Sequence, residues 1–149
     1  MWLYKEKQIE EIQDMGEPTP HGFIYKITHT PTGKAYLGKK SLYHNNKIKL
    51  GKKELAKLPK IQGRPQKFKQ VIKESDWKTY YGSNSTIKQM IKDGKQDEFV
   101  REILCFAYDK KMLTYLETKY QFINEVLEYP DLWFNDNILS KFYSIDFNK

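Results

Sequence analysis

A single cysteine, Cys105, occurs in the 149-residue chain. That excludes an internal disulfide and any zinc site built on several thiolates, and it suits a reducing cytoplasm. Long apolar runs are missing too, so no helix is expected to span a bilayer. Residues 1–15 carry four acids and two lysines among scattered apolar residues. This is not the basic start and apolar run of a secretory signal. Arginine is nearly absent: of 26 basic residues only Arg64 and Arg101 are arginine. Internal repeats and low-complexity tracts are absent as well.

What the chain does have is a core and an uneven charge. Apolar residues make up 39% and aromatics 15%, enough for one domain with one hydrophobic core. The net charge is +7, which by itself implies little more than solubility. Its distribution says more. Residues 39–73 hold twelve Lys or Arg against one acid, Glu54, whereas from Glu117 onward six acids face three lysines. A segment this basic repels itself unless it meets solvent or a polyanion. Nucleic acid is the expected partner, and a solvated basic loop is the plainer alternative.

Leu3, Ile9 and Ile12 fall at near-helical spacing, so residues 1–20 are expected to form a short helix and a linker broken by Pro18 and Pro20. Gly22-Phe-Ile-Tyr-Lys-Ile-Thr alternates like a strand, Pro31-Thr-Gly33 signals a turn, and Lys34-Ala-Tyr-Leu-Gly-Lys-Lys40 is a second strand. Residues 41–75 are a basic excursion with a short helix at 52–58. A helix over 85–93 is capped by Ser83 or Ser85, with Gly94 as its stop. Residues 99–106 make a third strand. Asp109 starts a long helix to about residue 125, lined by Leu113, Leu116, Tyr120, Ile123 and Leu127. The expected fold is α+β, a small three-stranded antiparallel sheet (the hairpin plus a third strand) flanked by helices.

Tyr25 and Tyr36 stand eleven residues apart on the two hairpin strands, with Gly38 leaving room for a close approach. Alone, such a pair reads as cross-strand packing. However, Gly22-Phe-Ile-Tyr25, Tyr36-Leu-Gly38, Glu117 in Tyr-Leu-Glu-Thr-Lys-Tyr and Asn135 in Trp-Phe-Asn-Asp-Asn-Ile follow one another in the order of the GIY-YIG nuclease superfamily. The chain resembles its phage-encoded, Seg-like homing-endonuclease branch over residues 21–138, leaving 139–149 as a tail. Its second motif has Leu in place of Ile, and its first has one residue more between Gly and Ile-Tyr.

The resemblance implies a DNA endonuclease that hydrolyses phosphodiester bonds with one divalent cation, Mg²⁺ or Mn²⁺, held by Glu117. It makes Tyr25 the general base, which requires a depressed phenol pKa, and Tyr36 a positioning donor. Asn135 would steady the site, although a turn residue is as good a reading. The arginine expected to bind phosphate is missing, and Lys40 is the substitute as a point charge. His44 is a further base or phosphate donor, or neither. Trp77, Tyr80 and Tyr81 either stack on bases or, the favoured reading, fill the core. Duplex DNA would be held by Lys39, Lys47, Lys49, Lys52, Lys53, Lys57, Lys60, Arg64, Lys67 and Lys69. A homodimer is one way to cut both strands. The alternative is a DNA-binding protein that kept the fold and lost catalysis. If phage-encoded, the protein would work in the cytoplasm of a bacterial host.

Overall fold

The computed structural model describes residues 1–57 and 68–147; Lys60, Arg64 and Lys67 lie outside the described residues. The chain divides into two compact units, one of residues 1–42 with 76–149 and the other of residues 43–75.

The larger unit is built on five strands, β1 (Trp2–Tyr4), β2 (Lys7–Ile9), β3 (Gly22–His29), β4 (Ala35–Ser41) and β7 (Phe99–Ala107), in the order β2-β1-β7-β3-β4. The expected three-stranded antiparallel sheet is therefore its β7-β3-β4 part. The two additional strands come from the segment expected to be a helix. Trp2 and Ile9 face each other across β1 and β2, and both are buried. Lys5 and Glu6 turn the chain with φ of +48° and +68°. β1 then runs parallel to β7. The helical spacing of Leu3, Ile9 and Ile12 is incidental, and burial of Trp2 decides the outcome. Its ring packs edge-on against Phe23 and Tyr25 at 5.0 and 5.5 Å, and its indole N–H donates to the Trp77 carbonyl at 2.7 Å.

The β3–β4 hairpin pairs without interruption from Gly22↔Ser41 to Thr28↔Ala35, and Gly33 supplies the φ of +74° its turn needs. Between β3 and β7 the register shifts at Ile24 and Tyr25, where β7 carries one extra residue, Leu104. Such a bulge re-aims the side chains around it. On one sheet face Ile24, Ala107 and Leu113 form a core cluster with α3 (Lys110–Ile123). On the other, Phe23, Tyr25 and Trp77 are buried together.

Asp109 caps α3 through the Met112 N–H. Two helical details differ from expectation. The residue that caps α2 (Ser85–Lys92) is Asn84, not a flanking serine; its side-chain Oδ1 accepts from both Thr86 and Ile87 N–H. Ile123 is 67% exposed. The helix ends there, and buried Val126 and Leu127 cover the sheet from the turn that follows. A short pair, β8 (Asn137–Ile138) and β9 (Phe142–Tyr143), follows.

The smaller unit is a two-stranded antiparallel ribbon of β5 (Tyr43–Lys49) and β6 (Phe68–Glu74), with helix α1 (Lys52–Ala56) following β5.

Truncating Trp2 removes the largest buried side chain of the N-terminal hairpin. Trp2→Ala is expected to cost about 3–5 kcal/mol in urea unfolding, whereas an exposed helical tryptophan would cost little.

Candidate active site

β4 is the outer strand of its sheet, so the peptide groups of Ala35, Leu37 and Lys39 point away from β3 and need partners. Each finds one. Ala35 N–H donates to the Leu132 carbonyl at 3.0 Å, and the Ala35 carbonyl accepts from Phe134 N–H at 2.7 Å. Asn135, 5% exposed, closes both sides of Leu37: its amide oxygen accepts the Leu37 N–H at 3.0 Å, and its amide nitrogen donates to the Leu37 carbonyl at 2.8 Å. Gln121 of α3 donates to the same carbonyl at 3.1 Å. Finally, the Lys39 N–H donates to Glu117. Asn135 is thus neither a turn residue nor a group turned toward solvent. It fixes the strand segment that carries Tyr36 and Gly38.

The tyrosines occupy the sheet face that opens at this edge. Tyr25 pairs with Gly38 and Ile27 with Tyr36, so the two rings are diagonal neighbours, 6.2 Å apart between centroids. A side chain at position 38 is impossible without a shift: its Cβ would sit 2.6 Å from Tyr25 Cζ and collide with the hydroxyl. On the opposite side Gly82, with φ of +88°, approaches both rings, its Cβ position lying 3.3 Å from Tyr36 Cδ1 and 3.4 Å from Tyr25 Oη. Tyr36 Oη shares a hydrogen bond of 2.8 Å with Ser83 Oγ. Tyr25 is hydrogen-bonded to Tyr80, whose ring meets it edge-on at 5.9 Å.

The loop carrying Tyr80, Gly82 and Ser83 is held by Arg101 of β7. This guanidinium is buried, stacks between the Trp2 and Tyr81 rings at 4.6 and 4.3 Å, and donates to the carbonyls of Lys78 and Tyr80 at 3.1 and 2.8 Å. Ser83 and Arg101 were not anticipated as site components, and Tyr80 was expected to stack on bases or fill the core. The signal for Arg101 was an arginine in the middle of the apolar strand Phe99-Val-Arg-Glu-Ile-Leu. Trp77 is core, as favoured.

The electrostatics reverse one expectation. Burial holds the Tyr25 phenol well above the usual range, and Tyr80, Tyr36 and Glu117 push the same way. Lys39 and Lys40, which follow Gly38 on β4, are engaged elsewhere. Lys39 Nζ donates to Thr114 Oγ1 at 2.8 Å. Lys40 Nζ is paired with Asp76 at 2.5 Å and lies 3.9 Å from the Tyr80 ring centroid. Tyr36 is raised by burial and eased by its bond to Ser83. The Glu117 carboxyl is raised by burial, against the pull of the Lys39 charge and N–H.

A half-buried carboxylate with a charge that burial disfavours is a place for a cation. Among the described residues no three His, Cys, Asp or Glu gather as a ligand cage. The donor set therefore fits a hard ion that keeps most of its water, as Mg²⁺ does, and not a closed transition-metal site. Of the expected DNA-binding lysines, Lys47, Lys49, Lys52, Lys53 and Lys57 are exposed in the smaller unit, and His44 is exposed on its ribbon. Lys69 is only half-buried and paired with Glu54 at 3.0 Å.

These features agree with a family-level match. Residues 2–138 match the model described as "Putative endonuclease segE, GIY-YIG domain", and the chain belongs to this GIY-YIG family. None of the curated proteins and none of the solved structures matches it.

Two measurements check the geometry. Asn135→Ala leaves the buried Leu37 N–H without its acceptor and is expected to cost about 1–3 kcal/mol in chemical denaturation. For Glu117, a folded-state pKa above the unfolded one means that folding disfavours the charged carboxylate. The penalty vanishes below the unfolded pKa and is complete above the folded one. Glu117→Gln is therefore expected to raise Tm in metal-free buffer at about pH 8 and to leave it unchanged at about pH 3.5.

Proposed function

We propose that the protein is a divalent-metal-dependent DNA endonuclease that hydrolyses phosphodiester bonds in duplex DNA. The supporting observation is the convergence of Glu117 on Tyr36 and Tyr25, the tyrosines packed around Gly38, at a strand edge where the carboxylate is half-buried. Glu117 is the residue to hold Mg²⁺ or Mn²⁺. When bound, that ion neutralises phosphate charge and stabilises the departing 3′ oxygen.

The chain's own groups divide the remaining work. Tyr36 is the more accessible phenol, and its bond to Ser83 sets the direction in which its hydroxyl meets a phosphate oxygen or the attacking water. Tyr25, kept protonated by burial, orients Tyr80 and the water rather than taking a proton. The ammonium of Lys40 meets the phosphate by exchanging the Asp76 carboxylate for it, a point charge replacing the missing arginine fork. Asn135 and Gln121 are positioning residues that hold β4. A second copy of the chain supplies the second cut where both strands break.

One observation favours a second reading, a DNA-binding protein without catalysis. The sole cation proposed for the phosphate is already ion-paired, and Arg101, the one arginine among the described residues, is committed to the Lys78 and Tyr80 carbonyls.

Plasmid cleavage separates the two. The wild type is expected to cut with Mg²⁺ and to stop with a chelator. Glu117→Ala should lose about a thousandfold or more in rate and Tyr36→Phe about a hundredfold. Cleavage by Glu117→Ala in chelator overturns the mechanism; salt-sensitive binding with no cut on any duplex supports the second reading.

A further inference from the structure

The smaller unit has a patterned surface that phosphate contacts alone do not require. Residues 43–75 hold ten of the 26 Lys and Arg and two of the 19 acids, a net charge of +8. The rest of the chain, 16 basic against 17 acidic residues, is left at −1. The electrostatic attraction to DNA thus resides almost entirely in the ribbon unit.

Directly paired residues share a face of an antiparallel ribbon. Along β6, Lys69 and Val71 are half-buried while Phe68, Gln70 and Ile72 are exposed. The face of Lys69 is tied to α1 through the Glu54 ion pair of 3.0 Å. The opposite face is open. On it the pairs Asn45↔Ile72, Lys47↔Gln70 and Lys49↔Phe68 stand in consecutive rows. Two amides and two lysines share it with two large apolar side chains, Ile72 at 70% and Phe68 at 50% exposure.

Resting on the DNA reading above, we infer that this open face of the β5–β6 ribbon enters the major groove of duplex DNA and reads base edges with Asn45, Lys47 and Gln70. A two-stranded ribbon fits the width of that groove. Asn and Gln can bond adenine N6 and N7 in bidentate fashion, and Lys can reach guanine O6 and N7. Ile72 offers an apolar surface to a thymine methyl. A ribbon that only followed phosphates would gain nothing from an isoleucine 70% exposed on the same face as Asn45 and Gln70. Lys52 and Lys53, exposed at the start of α1, contact phosphates and contribute to the salt dependence without reading sequence.

Binding selection with the full chain carrying Glu117→Ala tests this without requiring cleavage. From a randomised duplex pool it is expected to recover a short base-pair motif. Within that motif, Asn45→Ala and Gln70→Ala should each relax preference at one base pair by roughly ten- to a hundredfold. The slope of log K against log salt should change by less than about one, whereas Lys52→Ala should lower it by about one on every sequence. Replacing motif purines by 7-deazapurines, which lack the major-groove N7, should weaken binding; replacing guanine by inosine, which lacks only the minor-groove amino group, should not. A pool without a motif, an equal loss on all sequences for Asn45→Ala and Gln70→Ala, or sensitivity only to inosine would overturn the inference. Absence of any DNA binding at low salt would overturn the DNA reading with it. A motif bound by a wild type that never cuts would remove only the nuclease reading.

Discussion

An edge strand has to find partners for the peptide groups that no neighbouring strand will take, and in this protein that demand organises the site. β4 could have been left to solvent or shielded by charge, the common means of protecting a sheet edge. Here it is closed from three directions: by the Leu132 and Phe134 backbone with the Asn135 side chain, by Gln121 and by Glu117. The bonds that stabilise the strand also deliver a carboxylate to the end of it that carries Gly38. Structure and chemistry are coupled at Lys39, whose N–H holds Glu117 while its ammonium lowers the cost of the charge.

The tyrosines depend on that edge and on a second constraint, the space between Gly38 and Gly82. A methyl group on either glycine would press on the rings, so the backbone approaches the phenols from both sides and water is largely excluded from Tyr25. Exclusion has a chemical price: a phenol in such a slot holds its proton. A Tyr25 base fits a polar, cation-lined site better than this aromatic one, where Trp2, Phe23, Tyr36 and Tyr80 surround the ring. The proposed division of roles between the two tyrosines rests on burial more than on their order in the chain.

Much of this was legible in the sequence, and the losses have physical causes. The hairpin, the β7 strand and the Asp109 cap follow from local rules, alternation and capping, that act within a few residues. The N-terminal hairpin did not, because its register is decided by Trp2 reaching Trp77, 75 positions away. Glu117 could be named from its motif. Its partner, the Lys39 backbone, could not, since nothing in a sequence shows which peptide groups face an open edge. Asn135 was legible as a residue of the site but not in its bonding. Arg101 was nearly invisible: a buried guanidinium between two rings is a tertiary arrangement, and its only local trace is a charge at a strand position alternating with Phe99 and Ile103. The open and tied faces of the β5–β6 ribbon likewise emerge only once the strands are paired.

The charge division bears on how such a domain must work. A unit with net charge −1 that carries its carboxylate half-buried has little attraction of its own for a polyanion. A cation at Glu117 offsets one charge, not the field of a duplex bearing a negative charge about every 1.7 Å along its axis. Affinity must then come from the +8 segment, inserted between β4 and Asp76 in the chain. The larger unit then contributes Lys40 as the cation proposed for the phosphate. That lysine answers to Asp76 and Tyr80 before it answers to DNA. On the proposed reading, the strength of its attachment to Asp76, weighed against the pull of a singly charged phosphodiester, is what would separate a working nuclease from a binding protein on this scaffold.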